Sequence, residues 1–347
     1  MAGPRARRGA SLRALFVVAL GGLALAGCGA GDPKAATDPA LVPIGAGLRG
    51  PSGFAASVYA TGLPTASAFA IDARGRLWVT TSAASDHRRD GVWMVARAGA
   101  RPVKVISGVR GPLGLAWHRG RLYVASLGRV DAFSGLRGTR FAERTTILTE
   151  PRGHGWNNGI VAAPDGRLVM GISSACDHCA STSKWSATII SFRPDGSDVR
   201  LYAKGIRAPY GLAYVPGTSE LLVSMNQRDD LGTRTPGDWL ARVSPGDDWR
   251  FPDCYGQRGG ACTGVPRPFA ILDRHAAAGA VTVFGQAALV AEWQTGRVLQ
   301  VPLAGSASKA TPFLTGVRNP LALATTRDGA LLVGDWGTGR IYRIAKR

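Results

Sequence analysis

The stretch KVISGVRGPLGLAWHRGRLYVAS, residues 104–126, reads as an apolar strand, a Gly-Val-Arg-Gly-Pro turn, a short strand, a polar turn and a further strand. The same order returns in RLYAKGIRAPYGLAYVPGTSELLVS (200–224) and in TPFLTGVRNPLALATTRDGALLVGD (311–335). A looser copy, SVYATGLPTASAFAIDARGRLWVTT, begins at Ser57, and two degraded copies begin at Gly153 and Asp273. Six units of roughly 40–50 residues have the length of propeller blades.

Most units place Asp-Gly, Arg-Gly or a similar pair between strands that alternate or are apolar throughout, and helical periodicity is almost absent. The 47 glycines serve these turns, where positive φ is unstrained only for Gly. The expected fold is an all-β, six-bladed β-propeller; sandwiches rarely repeat at this period and β-helix repeats are shorter. The last unit ends at RIYRIAKR, one strand short, and the missing strand type stands near the start of the chain as FAASVYA, residues 54–60. N- and C-terminal strands are therefore expected to close one blade together, which removes an open sheet edge.

Basic residues (Arg5, Arg7, Arg8, Arg13) precede an apolar run from Ala14 to Leu25 that closes on Leu25-Ala26-Gly27-Cys28. This is the pattern of a lipoprotein signal over residues 1–27, with Cys28 acylated and residues 28–50 a Gly/Ala/Pro-rich tether to a propeller over 51–347. The apolar run is shorter than the ~20 residues a spanning helix needs. The expectation is an extracytoplasmic lipoprotein held on a membrane face by its lipid.

Setting Cys28 aside leaves four cysteines in two close pairs, Cys176 with Cys179 and Cys254 with Cys262. In an oxidising compartment these read as two local disulfides. A zinc site at SSACDHC would need further ligands and reduced thiolates, and a thioredoxin-type pair would need a helix after it. The net charge of +19 includes four leader arginines, and the other arginines lie singly in turns. With no basic helix or aromatic-interleaved stripe, the charge speaks for a solvated basic surface rather than nucleic-acid binding.

Polar residues recur at two places in each unit, before the first short strand and after the second. These are His154, Trp156, Asn157 and Asn158; Arg207 and Tyr210; Asn226 to Asp230; His275; Glu292, Trp293 and Gln294; and Arg318, Asn319, Asp335 and Trp336. In a propeller they converge on one rim. Arg207 and Arg318 share their motif with Arg110, so inter-blade bonding and anion binding both remain open for them. His87 and His118, in arginine-rich turns, receive no role.

GIRAPYGLAYVPGTSELLVSMNQRDDLG running on to DDWRFPDCYG, with APDGRLVMGISSACDHC before it and RHAAAG after it, resembles the glucose/sorbosone dehydrogenase family. Its members are six-bladed propellers related to soluble quinoprotein glucose dehydrogenase. The resemblance implies oxidation of an aldose or polyol with pyrroloquinoline quinone (PQQ) and Ca²⁺, electrons passing to an external acceptor, and it supports the two local disulfides. It implies His154 as the base, with Arg207, Asn226, Arg228, Trp293, Gln294 and Arg318 around the cofactor. It places the backbone carbonyls of Gln227 and Arg228 on Ca²⁺, and Trp156, Asn157, Asp229, His275 and Trp336 near the sugar. Gln294 stands where the family offers a cation to the quinone. The alternatives are a non-catalytic propeller binding a glycan or protein partner, and a metal-dependent lactonase using Asp229, Asp335 and Asn158.

Overall fold

In the structure, a computed structural model, residues 40–83, 86–149, 156–180 and 183–347 are described. The signal, Cys28 and most of the tether lie outside them, as does His154.

The described strands form six antiparallel sheets. Blade 1 runs Ala66–Ile71, Leu77–Thr81, Gly91–Val95, Val103–Ile106, and blade 2 Gly114–His118, Arg121–Ser126, Arg129–Ser134, Glu143–Thr149. Blade 3 comprises Asn157–Ala162, Leu168–Ile172, Thr188–Phe192 and Arg200–Lys204; blade 4 comprises Pro209–Tyr214, Leu221–Met225, Gly237–Val243 and Ala270–Arg274. Blade 5 starts with Ala278–Phe284, Ala287–Glu292, Arg297–Pro302 and Thr311–Thr315. Blade 6 takes Pro320–Thr325, Leu331–Asp335 and Arg340–Lys346, and its fourth strand is Phe54–Ala60, paired antiparallel from Ile341 opposite Ala60 to Lys346 opposite Phe54. The six-bladed propeller and its closure by the two ends are thus as expected. Each sequence repeat straddles two blades: the Gly-apolar-Arg-x-Pro turn carries the chain from the outermost strand of one blade to the innermost strand of the next.

The first strands of consecutive blades contact one another in a closed cycle around the axis. Small residues permit that approach. A Cβ on Gly159 would sit 2.6 Å from the carbonyl oxygen of Tyr210, and one on Gly211 would sit 2.5 Å from that of Gly279, both in the neighbouring blade. The seam between blades 4 and 5 is also bonded through Ser224, fully buried, whose hydroxyl donates to Gly279 O (2.6 Å) and accepts from Gly211 N (2.9 Å). Ser224→Ala leaves both partners without that bond, and we expect about 1–2 kcal/mol of lost stability, read as a shift in the denaturant midpoint.

One boundary differs from the sequence reading. Residues 42–50, placed there in the tether, form a hairpin of Val42–Gly45 and Leu48–Gly50 that extends blade 5 through Arg49 opposite Thr315. Ile44 and Leu48 are buried against Phe313 and Leu314, so apolar packing holds a segment whose glycines give no strand signal.

Candidate functional site

A single hydrogen bond recurs in all six blades and sets the phase of the rim. The residue just after the second strand donates its N–H to a carbonyl in the turn ahead of the first strand, immediately ahead in five blades and four residues ahead in blade 2: Ser82 to Thr65, Leu127 to Arg110, Ser173 to Trp156, Asn226 to Ala208, Trp293 to Ala277, and Trp336 to Asn319. These are the two recurring positions singled out in the sequence. Side chains placed there face one mouth, a hollow of about 450 Å³ whose wall includes Trp156, Asn158, Tyr210, Asn226, Trp293 and Trp336. Trp293 and Trp336 meet edge to face (centroids 5.5 Å, 75°), and the Trp336 indole N–H donates to Ser82 O at 3.0 Å, which fixes the pair as a rigid wall. Asn226 Oδ1 and the Tyr210 hydroxyl are buried in this wall with no hydrogen-bond partner among the described residues. Buried polar atoms left this way are costly unless a ligand or water meets them.

A second hollow of about 490 Å³ shares Ala208, Asn226, Ala277 and Trp293 with the mouth and adds Arg207, Gln227, Asp229, Asp238, His275 and Gln294. This polar shoulder is organised by two carboxylates. Asp177, inside the Cys176–Cys179 disulfide loop, accepts from the Arg207 guanidinium and from the backbone N–H groups of Asp229 (3.0 Å) and Asp230 (2.9 Å). Both expected disulfides are formed, and the first presents Asp177 as a clamp on the run 226–230. Asp238, buried, accepts from Gln227 N (2.8 Å) and Ala278 N (3.1 Å). Burial pushes its carboxyl up to about 6. Asp90 makes the equivalent bonds in blade 1, to Ala83 N (2.9 Å) and Gly111 N (2.7 Å). A carboxylate at the start of the third strand is therefore a repeated rim tie.

His275 adopts positive φ (50°), and its Nδ1 lies 2.8 Å from Asp229 Oδ1 while Nε2 lies 2.8 Å from Gly232 O. With acceptors at both nitrogens the protonated ring is favoured, and the Asp229 bond, then the Gly232 carbonyl, raises its pKa above 6.5. The ion pair is complete below the ordinary value and is lost as pH rises through the raised one. Proton NMR titration of His275 should report a value above 6.5, and Asp229→Asn should return it toward 6.5.

Several side chains do not stand where the resemblance implied. Arg207 spends its guanidinium on the Asp177 carbonyl (2.8 Å), the Asp177 carboxylate and the Asn226 carbonyl (3.1 Å), so of its two open readings the structure shows internal bonding. Arg228 is buried, ion-paired with Asp230 (2.6 Å) and stacked over Tyr255 at 4.4 Å, turned from the mouth; Asp230 is held down to about 2 by that pair. Asn157 is fully buried and donates to Ser126 O (2.9 Å) between blades, while Asn158 takes the place at the mouth. Arg318 is exposed, outside the lining of either hollow, with no ion pair among the described residues; Gln294 is exposed at the edge of the shoulder. The lactonase set does not assemble: Asp335 spends its carboxylate on the N–H groups of Arg318, Asn319 and Gly337 and on the Thr338 hydroxyl. No group of three or more His, Cys, Asp or Glu placed to hold a metal occurs among the described residues.

His87 was passed over in the sequence. Its Nδ1 lies 2.7 Å from Asp90 Oδ2, and its ring lies 6.3 Å from that of Trp156, so an imidazole oriented by a buried carboxylate stands beside the mouth. The His-x-x-Asp spacing in DHRRD was the available signal.

No family model matches the sequence, and no curated protein matches it. Among solved structures the chain is similar to the PQQ-bound aldose sugar dehydrogenase of Streptomyces coelicolor, at 21% identity and TM-score 0.70, over 85% of this chain and 99% of that one. It is similar to the holo PQQ domain of pyranose dehydrogenase from Coprinopsis cinerea (17%, TM-score 0.72, 86% and 97%). A third is the calcium structure of a Trichoderma reesei carbohydrate-active enzyme of family AA12 (16%, TM-score 0.73, 90% and 98%). Structural neighbours are sugar dehydrogenases. At these identities the likeness establishes the shared fold.

Proposed function

We propose that the protein is a PQQ-dependent dehydrogenase oxidising an aldose or polyol at the cell envelope. The observation that carries this is the mouth itself: a hollow walled by three indoles, with two buried polar atoms, Asn226 Oδ1 and the Tyr210 hydroxyl, that no group among the described residues satisfies. Such a slot suits a flat, polar-edged ring system. The residues fit the group in part of the way the resemblance implied. Trp293 and Trp336 would hold the ring face, Asn226 and Tyr210 its polar edge, and Arg318, exposed and without an ion pair among the described residues, a carboxylate. The carbonyls of Gln227 and Arg228 accept no hydrogen bond among the described residues, which leaves oxygens of the kind Ca²⁺ takes.

When bound, PQQ supplies a two-electron acceptor for hydride from a sugar carbon, and an external partner then removes the electrons. The chain's own work is to bind and orient. The indoles wall the mouth, Asn158 presents an amide held by Ser173 (2.7 Å) and Pro209 O (3.0 Å), and the His275–Asp229 pair stands at the shoulder. By the resemblance, the hydroxyl proton of the sugar would go to His154, which lies outside the described residues. Location on a membrane face through acylated Cys28 belongs to the same proposal; Cys28→Ser should release the protein from the membrane fraction.

Purified protein given PQQ and Ca²⁺ should bleach an artificial electron acceptor when offered a sugar panel, and the bound quinone should show its absorption band. Absence of both cofactor binding and turnover defeats the reading. Sugar binding without turnover, unaffected by His154→Ala, selects the non-catalytic glycan binder instead.

A further inference from the structure

Beyond the shoulder a third cleft of about 730 Å³ opens between the Cys254–Cys262 loop and blade 4. Gln227 stands in the wall of both. The cleft therefore adjoins the shoulder across the buried Gln227. Three arginines line it, Arg234, Arg258 and Arg274, against one carboxylate, Asp253. They come from separate segments: the short turn Gly232–Arg234, the disulfide loop, and the end of the strand Ala270–Arg274.

The guanidinium groups of Arg234 and Arg258 make no hydrogen bond or ion pair among the described residues, and Arg274 uses one N–H on Thr233 O (3.1 Å). Nearby acids are already spent: Asp230 on Arg228, Asp177 on Arg207, Asp229 on His275. All three are exposed along one concave site, where an oxyanion reduces their mutual repulsion and matches the guanidinium fork. Tyr255 and Ile271, 37% and 57% exposed, add apolar surface beside them, of the kind a sugar ring packs on.

We propose that this cleft is a second subsite that takes the anionic group, carboxylate or phosphate, of a saccharide whose reacting end occupies the mouth. The inference rests on the sugar reading of the mouth, yet its binding step needs neither cofactor nor turnover.

Calorimetry on the full chain at physiological salt, without PQQ, tests it with trigalacturonate against neutral galactotriose and glucose 6-phosphate against glucose. We expect about tenfold or stronger preference for the acidic member of at least one pair, corresponding to ~1.4 kcal/mol. Arg234→Ala with Arg258→Ala should abolish the preference, and Arg140→Ala, an exposed arginine on blade 2, should leave it intact. Preference in the first pair assigns a carboxylate, in the second a phosphate. Equal binding of charged and neutral sugars, or equal loss in the Arg140 variant, overturns the proposal. An active dehydrogenase with no acid preference overturns this inference alone; acid-selective binding without oxidation sustains it and overturns the catalytic reading.

Discussion

Replacing His154 with alanine should lower kcat for PQQ-dependent sugar oxidation by about 10²–10⁴-fold, the ordinary contribution of a positioned general base. On the proposed reading quinone affinity should be unchanged, because Trp293, Trp336, Asn226 and Tyr210, and not His154, would hold the cofactor. A pH profile of kcat/KM distinguishes this from a structural loss: the acid limb reporting the base should disappear in the variant. His87 supplies the control. Its Nδ1 is oriented by Asp90 at 2.7 Å, leaving Nε2 without a partner among the described residues. If His87→Ala, and not His154→Ala, removes the acid limb, the proton acceptor is the imidazole of blade 1.

Asp177→Ala should weaken PQQ binding by about 10²-fold, or ~2.7 kcal/mol, although Asp177 lines neither hollow. One carboxylate anchors the Arg207 guanidinium and two successive backbone N–H groups, those of Asp229 and Asp230. Its loss leaves a cation and two donors to find new partners and frees the run that presents Asn226 and Gln227. Since the effect is on presentation rather than on chemistry, kcat at saturating cofactor should recover most of the wild-type value. Asp177→Asn, which keeps an acceptor without the charge, should fall between. An unchanged dissociation constant in the alanine variant would show that residues 226–230 hold their form through Asp238 and Ala208 alone.

The ring and its closure were legible because they are written in local chemistry. Each turn needs its Gly or Pro, each strand its apolar run, and FAASVYA matches the strand type that the last unit lacks. The hairpin at 42–50 was not legible, since its order comes from Ile44 and Leu48 finding the outer strand of blade 5, far along the chain. At the site, the repeat phase brought Trp156, Asn226, Trp293 and Trp336 correctly to one mouth. It did not give side-chain direction. Arg207 turns to an acid thirty residues back, Arg228 to Tyr255, and Asn157 to the preceding blade, and none of these partners is marked by spacing. The paired rim ties at Asp90 and Asp238 carried a weak signal, an aspartate at the start of the third strand in two blades, meaningful only once the blades are superimposed.

The hairpin ahead of the closing strand has a mechanical consequence. Tension applied at the N-terminal end reaches Val42–Gly50 first, where the attachment to blade 5 is one backbone pairing and two apolar side chains. The hairpin also packs on the Phe54–Ala60 strand, and its peeling is expected to leave load on that strand's long register with Arg340–Lys346, which keeps the circle shut. Pulled from that end, the molecule gives way in two steps, with a fuse protecting the weld.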